Sequence, residues 1–248
     1  VQGWNQTIHL LDIAYENIKK MASFAHQFDG EGLLTTDWGD YGHLQHPELA
    51  LVGIIYGAAF GWNSKIPERE EINADISVIE YGDRSATLIE IISEMSNQAV
   101  MHWGELVQFS ETYRYQIAGK DMDTFWKGYL PRIETSLPHI VECNETIRND
   151  MAKVAELLVQ IEDDRRAGIA PVLHMAEGQI LINTILRVLD REYLGHPDAY
   201  TGDTKALAEA LEIWYYEYRR QWHKISRESE LYRIGELIFW LADYIREL

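Results

Sequence analysis

One short stretch of the chain, residues 32–38, has the sequence of a β-strand. The run Gly-Leu-Leu-Thr-Thr-Asp-Trp is rich in β-forming residues and lies between glycines. Nearly every other segment places apolar residues three and four apart, which is the spacing of an amphipathic helix. A lone strand cannot pair its own backbone N–H and C=O groups. The sequence therefore predicts a mainly α fold whose strand pairs with something outside this chain, or a chain that is the tail of a larger α/β protein.

The sequence pattern of the first 63 residues predicts a helix–strand–helix unit. A helix over residues 5–28 ends at Asp29-Gly30, the strand follows, and a polar loop leads to Pro47 at the start of a second helix. The second helix is apolar nearly all round, so we expect it to be buried on all sides. Its glycines recur every four residues and form a bare stripe that another backbone can approach closely: Gly53, Gly57 and Gly61.

Residues 64–248 predict a second, all-α domain. A helix with Ile72, Ile76 and Ile79 on one face comes first, and a long helix then runs from an N-cap at Asp83 to Gly119. Pro131 and Pro138 divide the next part of the chain into short helical turns. The remaining predicted helices are one capped by Asn144 and reaching Ile161, one from Pro171 to Gly195, one from Asp203 to Lys224, and a last one from about Ser226.

The composition excludes several classes of partner. A chain of 248 residues, 46% of them hydrophobic, can bury a core without disulfides, and its single cysteine allows none within the chain. A formal net charge of −18 repels phosphate backbones and anionic lipid surfaces, so we expect no nucleic-acid and no membrane partner. No segment has the roughly 20 consecutive apolar residues of a membrane span. The polar opening lacks a signal-peptide pattern, which favours the cytoplasm over secretion.

An aromatic residue and a carboxylate follow one another at the end of the predicted strand. Trp38 offers a flat apolar face that can stack on a sugar ring, and the Asp40 carboxylate can accept two hydroxyl hydrogen bonds. At the C-terminal end of a barrel strand, such a pair is typical of a binding site. The alternative is structural, with Trp38 in the core and Asp40 capping the loop.

Three segments together resemble glycoside hydrolase family 20, the β-N-acetylhexosaminidases. They are Gly3-Trp4-Asn5, residues 32–43 with their Thr-Asp-Trp-Gly-Asp-Tyr-Gly-His run, and residues 57–63. The likeness is closest to bacterial members in which a helical domain follows the catalytic barrel. It is specific over residues 1–63 and weaker beyond, where it rests on Trp222 and residues 227–231. The resemblance implies that residues 1–63 are the helix–strand–helix end of a (β/α)8 barrel and that residues 64–248 form a helical C-terminal domain.

The resemblance also assigns roles to three residues near the strand. In the family the eighth barrel strand ends in Trp-Gly-acid, which is Trp38-Gly39-Asp40 here. This implies that Trp38 packs against a terminal N-acetylhexosamine, that Asp40 binds its outer hydroxyls, and that His43 borders the sugar. Many members have Glu where this chain has the shorter Asp40.

Family members hydrolyse the glycosidic bond with the help of the substrate. The acetamido oxygen attacks the anomeric carbon, a Glu acts as general acid and base, and the Asp before it orients the acetamide. No Asp is followed directly by Glu in this chain. The resemblance therefore implies the C-terminal part of a β-N-acetylhexosaminidase, which supplies part of the sugar pocket, has no catalytic residue, needs no cofactor and is inactive alone.

The same resemblance implies two partners for the chain, a glycan with a terminal N-acetylhexosamine and the missing N-terminal barrel part of the same protein. The unpaired strand and the apolar second helix further predict a homo-oligomer, in which a second copy of the chain covers this region. The alternative function is that of a non-catalytic helical module for dimerisation or carbohydrate binding.

Several histidine patterns predict no metal site. In His102-x-x-Glu105 and His174-x-x-Glu177 a His precedes a Glu on one helix face, whereas carboxylate di-metal bundles place Glu before His. The His43-x-x-His46 pair lies in a loop without a third ligand nearby. The aromatic run over residues 214–222 has helical spacing, which predicts core packing, with a sugar-binding face as the alternative.

Overall fold

The computed structural model of the protein describes residues 3–63, 65–115 and 121–248, the side chains of residues 163 and 164 excepted. Within these residues ten α-helices are joined by turns, short 3₁₀ segments and one π-helical segment. The helices are α1 (Leu11–Gln27), α2 (Leu51–Trp62), α3 (Arg69–Ile79), α4 (Leu88–Asn97), α5 (Trp103–Tyr115), α6 (Met122–Ile133), α7 (Ile140–Leu158), α8 (Asp163–Leu189), α9 (Thr204–Ile225) and α10 (Leu231–Arg246). The prediction of a mainly α fold is confirmed.

Residues 32–38, which we call the extended segment after their alternating exposure, form neither a helix nor a β-ladder with any other part of the described chain. No paired strand is present among the described residues, and pairing with a partner outside the chain stays a prediction. The two-residue alternation of a strand is kept nevertheless. Leu33, Thr35 and Asp37 are partly buried, whereas Leu34 and Trp38 on the opposite side are exposed. The segment thus has the shape of a strand without a neighbour that completes a sheet.

The glycine stripe of α2 receives this extended segment at one position. Gly57 lies against Thr35 so closely that a Cβ atom at position 57 would overlap the threonine side chain. Gly61, one turn further along, faces open space. Ile54 and Trp62 are also exposed, so the prediction that α2 is buried on all sides is wrong. One face of α2 packs against the rest of the protein, and the other face is exposed to solvent.

Helix α1 packs on α2 through three aromatic rings. The Tyr15 ring makes edge contacts with Tyr56 and Phe60, at centroid distances of 5.7 and 5.5 Å. α1 begins at Leu11, six residues later than predicted. At its C-terminal end Asp29, rather than the glycine after it, takes the left-handed conformation, with φ 52°.

The long helix predicted from Asp83 to Gly119 is two helices, α4 and α5, with a turn over residues 98–102 between them. Asp83 does precede the first of these as a cap, because its carboxylate accepts hydrogen bonds from the N–H groups of Thr87 and Leu88. Gly119 lies outside the described residues.

Two buried amide side chains of α8 hold the turn between α4 and α5. Asn183 accepts a hydrogen bond from the N–H of Val100 (3.1 Å) and donates one to the carbonyl of Gln98 (3.0 Å). Gln179 donates to the carbonyl of Met101 (2.9 Å). A continuous helix would pair these backbone groups internally, and here side chains satisfy them instead. The break in the helix is therefore a tertiary feature.

Two predicted helix starts, Asn144 and Pro171, and one predicted break, Pro131, also lie inside helices. α7 begins at Ile140, and Asn144 is buried in it, accepting a hydrogen bond from Asn183 (3.0 Å). α8 begins eight residues before Pro171, and α6 contains Pro131. Two boundaries are confirmed: Gly195 takes the left-handed conformation after α8, and Asp203 caps α9 through the N–H groups of Lys205 and Ala206.

Helix α8 and its π-helical extension form a long apolar element in the middle of the fold. Residues 165–194 are long and apolar enough to cross a membrane by length and composition, contrary to the prediction that no segment is. Within its most apolar stretch, however, 67% of the residues are buried inside the protein. α8 packs against α4 and α7, which precede it, and against α9, which follows. These properties are those of a core helix.

Direct contacts link the first 63 residues to the rest of the chain. The Thr7 hydroxyl donates to the Gln179 side chain (2.6 Å), and the Tyr15 hydroxyl donates to the carbonyl of Pro67 (2.8 Å). An ion pair joins Arg69 to Asp12 (2.6 Å). The hydrophobic core is also continuous across residue 63. The division into domains 1–63 and 64–248 stays a prediction.

Candidate functional site

Two tryptophans and a carboxylate line one open cavity of about 420 Å³. The residues that line it come from the segment before α1, from α1 itself and from the extended segment with the turn after it: Trp4, Ala14, Asn17, Ile18, Thr36, Trp38 and Asp40. The structure therefore brings Trp38 and Asp40, which the sequence analysis singled out, to the same cavity.

Both tryptophan side chains are open to solvent at this cavity. Trp38 is 64% exposed and Trp4 is 49% exposed, so neither is a core residue. Trp4 was part of the motif that carries the family resemblance, but it was not predicted as a site residue. The signal for it was the Gly3-Trp4-Asn5 motif, which stands 34 positions before Trp38 in the sequence.

Two hydrogen bonds orient Trp38. Its indole Nε1–H donates to the Thr36 hydroxyl (3.1 Å), and its carbonyl accepts from the side-chain amide of Gln45 (3.2 Å). Gln45 is buried, so the second bond ties the backbone of the site to the interior. The indole N–H and the backbone carbonyl of Trp38 are thus each held by one hydrogen bond.

The turn after Trp38 aims the carboxylate of Asp40 and the ring of His43 in different directions. Asp40 begins a 3₁₀ turn, and both Tyr41 and His43 take left-handed φ angles, of 53° and 56°. The His43 ring folds back onto Gly39 so closely that a Cβ atom there would overlap it. His43 does not line the cavity, and its Nε2 is buried without a hydrogen-bond partner among the described residues. The role of His43 at the edge of a bound sugar stays a prediction.

Next to the site, the buried side chain of His9 contacts the carboxylate of Asp37. His9 Nε2 lies 3.4 Å from the Asp37 carboxylate, and burial lowers the pKa of His9 even though Asp37 opposes that change. Burial acts to raise the pKa of Asp37, but the hydrogen bond from His9 and the charges of His9 and His43 outweigh it, so the pKa of this carboxyl lies below its usual range. Asp37 therefore stays ionised, and it anchors the extended segment to the chain before α1.

The chemistry of the cavity suits a neutral, hydroxyl-rich ligand. It combines two exposed aromatic faces with a hydroxyl, an amide and a carboxylate. None of the described residues that line it is Lys, Arg or His, so it offers no positive charge to an anion. Aromatic faces bind the apolar faces of sugar rings, and carboxylate and amide groups bind their hydroxyls.

The histidine patterns of the sequence do not converge on a metal centre. Within the part of the chain that the structure describes, no three His, Cys, Asp or Glu side chains are placed to hold an ion. Glu105 instead pairs with Arg132 (2.8 Å), and His174 stacks on Trp214 at a centroid distance of 5.1 Å. In the aromatic run over residues 214–222, Trp214, Tyr215 and Tyr218 are buried, which confirms core packing for these three.

Comparison of the chain with protein-family models, with curated proteins and with solved structures finds no match.

Proposed function

We propose that the chain is the C-terminal part of a β-N-acetylhexosaminidase and that its cavity binds the terminal N-acetylhexosamine of a glycan. The observation that carries the proposal is the meeting of Trp4, Trp38 and Asp40 in one open cavity. The family resemblance attributes a stacking role to Trp38 and hydroxyl binding to Asp40, and both side chains are accessible for these roles.

In this proposal the chain contributes to binding and another part of the protein contributes to chemistry. Substrate-assisted hydrolysis needs an Asp-Glu pair, and the chain has no such dipeptide. Trp38 would hold the apolar face of the sugar, with its indole N–H bonded to Thr36 and its backbone carbonyl bonded to Gln45. Asp40 would accept hydrogen bonds from the outer hydroxyls. Interactions of this kind lower the barrier when they are stronger in the transition state than in the ground state.

A titration of the purified chain with N-acetylglucosamine, followed by tryptophan fluorescence, tests the binding part of the proposal. We expect saturable binding that Trp38→Ala weakens about tenfold, since a stacked aromatic face contributes roughly 1 kcal/mol or more. Asp40→Asn should weaken it less. Trp62→Ala is the matched control, because Trp62 is 90% exposed and does not line the cavity. Equal affinity in the wild type and in Trp38→Ala would contradict a role of Trp38 in binding.

A hydrolysis assay separates the enzyme from a non-catalytic carbohydrate-binding module. The chain alone should not cleave a chromogenic N-acetyl-β-glucosaminide, because the general acid and the acetamide-orienting group are absent. Addition of the N-terminal barrel part of the protein should restore cleavage. Turnover by the chain alone, in protein free of host hexosaminidase, would show that the assignment of roles is wrong.

A further inference from the structure

A second cavity, of about 430 Å³, lies between the start of α7 and the loop that follows α8. It shares no residue with the tryptophan cavity. Its apolar lining comes mainly from the turn before α7 and from the first residues of that helix: Leu137, Pro138, Ile140 and Val141. Its charged and titratable lining consists of Arg187, Asp190, His196 and Asp198. Of these four, His196 pairs with Asp190, and Arg187 is hydrogen-bonded to the backbone of the loop.

The backbone after α8 brings His196 back onto Asp190. The π-helical segment Asp190–Leu194 prolongs α8, and Gly195 with φ 80° then reverses the chain. His196 Nδ1 lies 2.6 Å from the Asp190 carboxylate, and the His196 side chain is 64% exposed while that of Asp190 is 9% exposed. Since a carboxylate accepts hydrogen bonds, Nδ1 carries the proton and Nε2 is the nitrogen left free. π-Helical segments often occur at functional sites.

Arg187 is also held in place, and its outer nitrogens remain available. Its Nε–H donates to the carbonyl of Ala199 (2.8 Å), and its guanidinium carbon lies 5.7 Å from the centre of the Tyr200 ring. Neither Nη atom makes a hydrogen bond or an ion pair with another described residue. A guanidinium that is fixed at Nε and stacked on a ring presents two donors in a planar fork, which matches the oxygens of a carboxylate, phosphate or sulfate.

We propose that Arg187 and His196 bind the oxyanion group of a small molecule in this cavity. The two Nη atoms of Arg187 and the Nε2–H of protonated His196 would donate hydrogen bonds to the oxygens of the anion. Asp190 holds the imidazole and balances its charge. Asp198 is the remaining carboxylate of the lining, and it opposes an anion. We therefore expect removal of Arg187 to weaken the binding of an oxyanion and neutralisation of Asp198 to strengthen it.

Calorimetric titration of the full chain with sodium sulfate and with sodium acetate tests the proposal, against sodium chloride at matched ionic strength. We expect saturable binding of at least one oxyanion, and the stronger of the two identifies a tetrahedral or a planar group. Arg187→Gln should weaken binding about tenfold, because the planar fork is lost. Asp198→Asn should tighten it a few-fold, because a repulsive charge is removed.

A variant at position 196 tests the role of His196. His196→Asn should weaken sulfate binding a few-fold, because the Nε2 donor is lost. Arg187→Lys, which keeps the charge but not the fork, replaces Arg187→Gln if circular dichroism shows that the latter is unfolded.

Three results would overturn the proposal. They are the absence of saturable binding of both oxyanions to the wild-type chain, unchanged affinity in folded Arg187→Gln or Arg187→Lys, and weaker rather than tighter binding in Asp198→Asn.

Discussion

Gly39 stands between the two residues that we expect to contact a sugar, and the ring of His43 packs directly against it. The left-handed backbone at Tyr41 and His43 is what turns this ring back onto the glycine. Residues other than glycine adopt that conformation at a cost, so the turn depends on the contacts around it. The absence of a side chain at position 39 is therefore a condition for the geometry of the site.

Gly39→Ala should destabilise the protein by about 1–3 kcal/mol, because the new methyl group must displace the His43 ring or the turn. It should also weaken the binding of N-acetylglucosamine, because Trp38 and Asp40 flank the displaced backbone. Urea denaturation measures the first effect and the fluorescence titration the second. Gly61→Ala is the control: it meets open space in a helix, where alanine stabilises by up to about 1 kcal/mol. Similar losses in both variants would refute the argument.

The sequence was informative about single residues where a motif was local. Trp38 and Asp40 are two positions apart, and their shared cavity follows from one short segment. The inward turn of His43 depends on left-handed φ angles at two non-glycine residues, which no residue preference signals. Trp4 reaches the cavity through an irregular segment whose path is fixed by tertiary contacts.

At the scale of elements, the turn between α4 and α5 depends on a side chain more than 80 residues away. Asn183 bonds to Val100 and Gln98 on that turn and also to Asn144 on α7. One buried amide thus joins three parts of the helical array. Replacement of this amide leaves buried backbone groups without partners, which is more costly than the loss of an ordinary hydrogen bond.

We expect Asn183→Leu to lower the free energy of unfolding by about 2–4 kcal/mol, because the N–H of Val100 and the carbonyl of Gln98 lose their partner in a buried place. Asn149→Leu is the matched control, since Asn149 is an exposed residue of α7. Chemical denaturation of both variants measures the difference. A loss below about 1 kcal/mol in Asn183→Leu would mean that water or another side chain replaces the amide.

The helix boundaries that the sequence did not predict also depend on tertiary contacts. Apolar periodicity runs from α4 into α5 without a break that the sequence alone reveals, because the interruption comes from α8. Asn144 and Pro171 carry the signals of helix starts, yet both lie inside helices. In contrast, Gly195 and Asp203 mark true boundaries, since their conformation and hydrogen bonds are local.

At the scale of the whole molecule, the extended segment of residues 32–38 leaves an apolar strand-like surface open. Leu34 is 86% exposed, and no β-ladder covers the segment in the described chain. Exposed strand edges promote pairing with another chain. The net charge of −18 opposes such association, and salt screens that repulsion.

We therefore predict that the isolated chain self-associates at low micromolar concentration and that added salt strengthens the association. Leu34→Lys should shift the equilibrium towards monomer without a change in stability, because the side chain is already exposed. Val159→Lys, at a 77% exposed position after α7, serves as the control for the added charge. Analytical ultracentrifugation is the measurement. A monomer at all salt concentrations in the wild type would count against the prediction.

The free energy of unfolding should also fall in acid. The contribution of His174 to this fall can be measured separately. Burial lowers the pKa of His174 from 6.5 to about 4. The unfolded chain therefore binds the proton more readily, so stability present above about pH 6.5 is lost as the pH falls towards 4. The loss attributable to this group is about 3 kcal/mol at most.

His174→Phe keeps a ring on Trp214 and removes the titration, so its unfolding free energy should depend less on pH between 7 and 4 than that of the wild type. Urea denaturation at a series of pH values measures the two slopes. Carboxyl groups with lowered pKa, such as that of Asp37, contribute in the same direction in both proteins and cancel in the comparison. Parallel curves would show that His174 has an ordinary pKa.

The position of α8 in the fold has a consequence for how the chain is made. This helix is apolar enough to resemble a membrane span, and one of its packing partners, α9, lies after it in the chain. During translation at roughly 5–20 residues per second, the residues up to the end of α9 take a few seconds to follow it. In that interval α4 and α7 are already made and can pack on α8, and we expect the surface that α9 later covers to be open to hydrophobic chaperones.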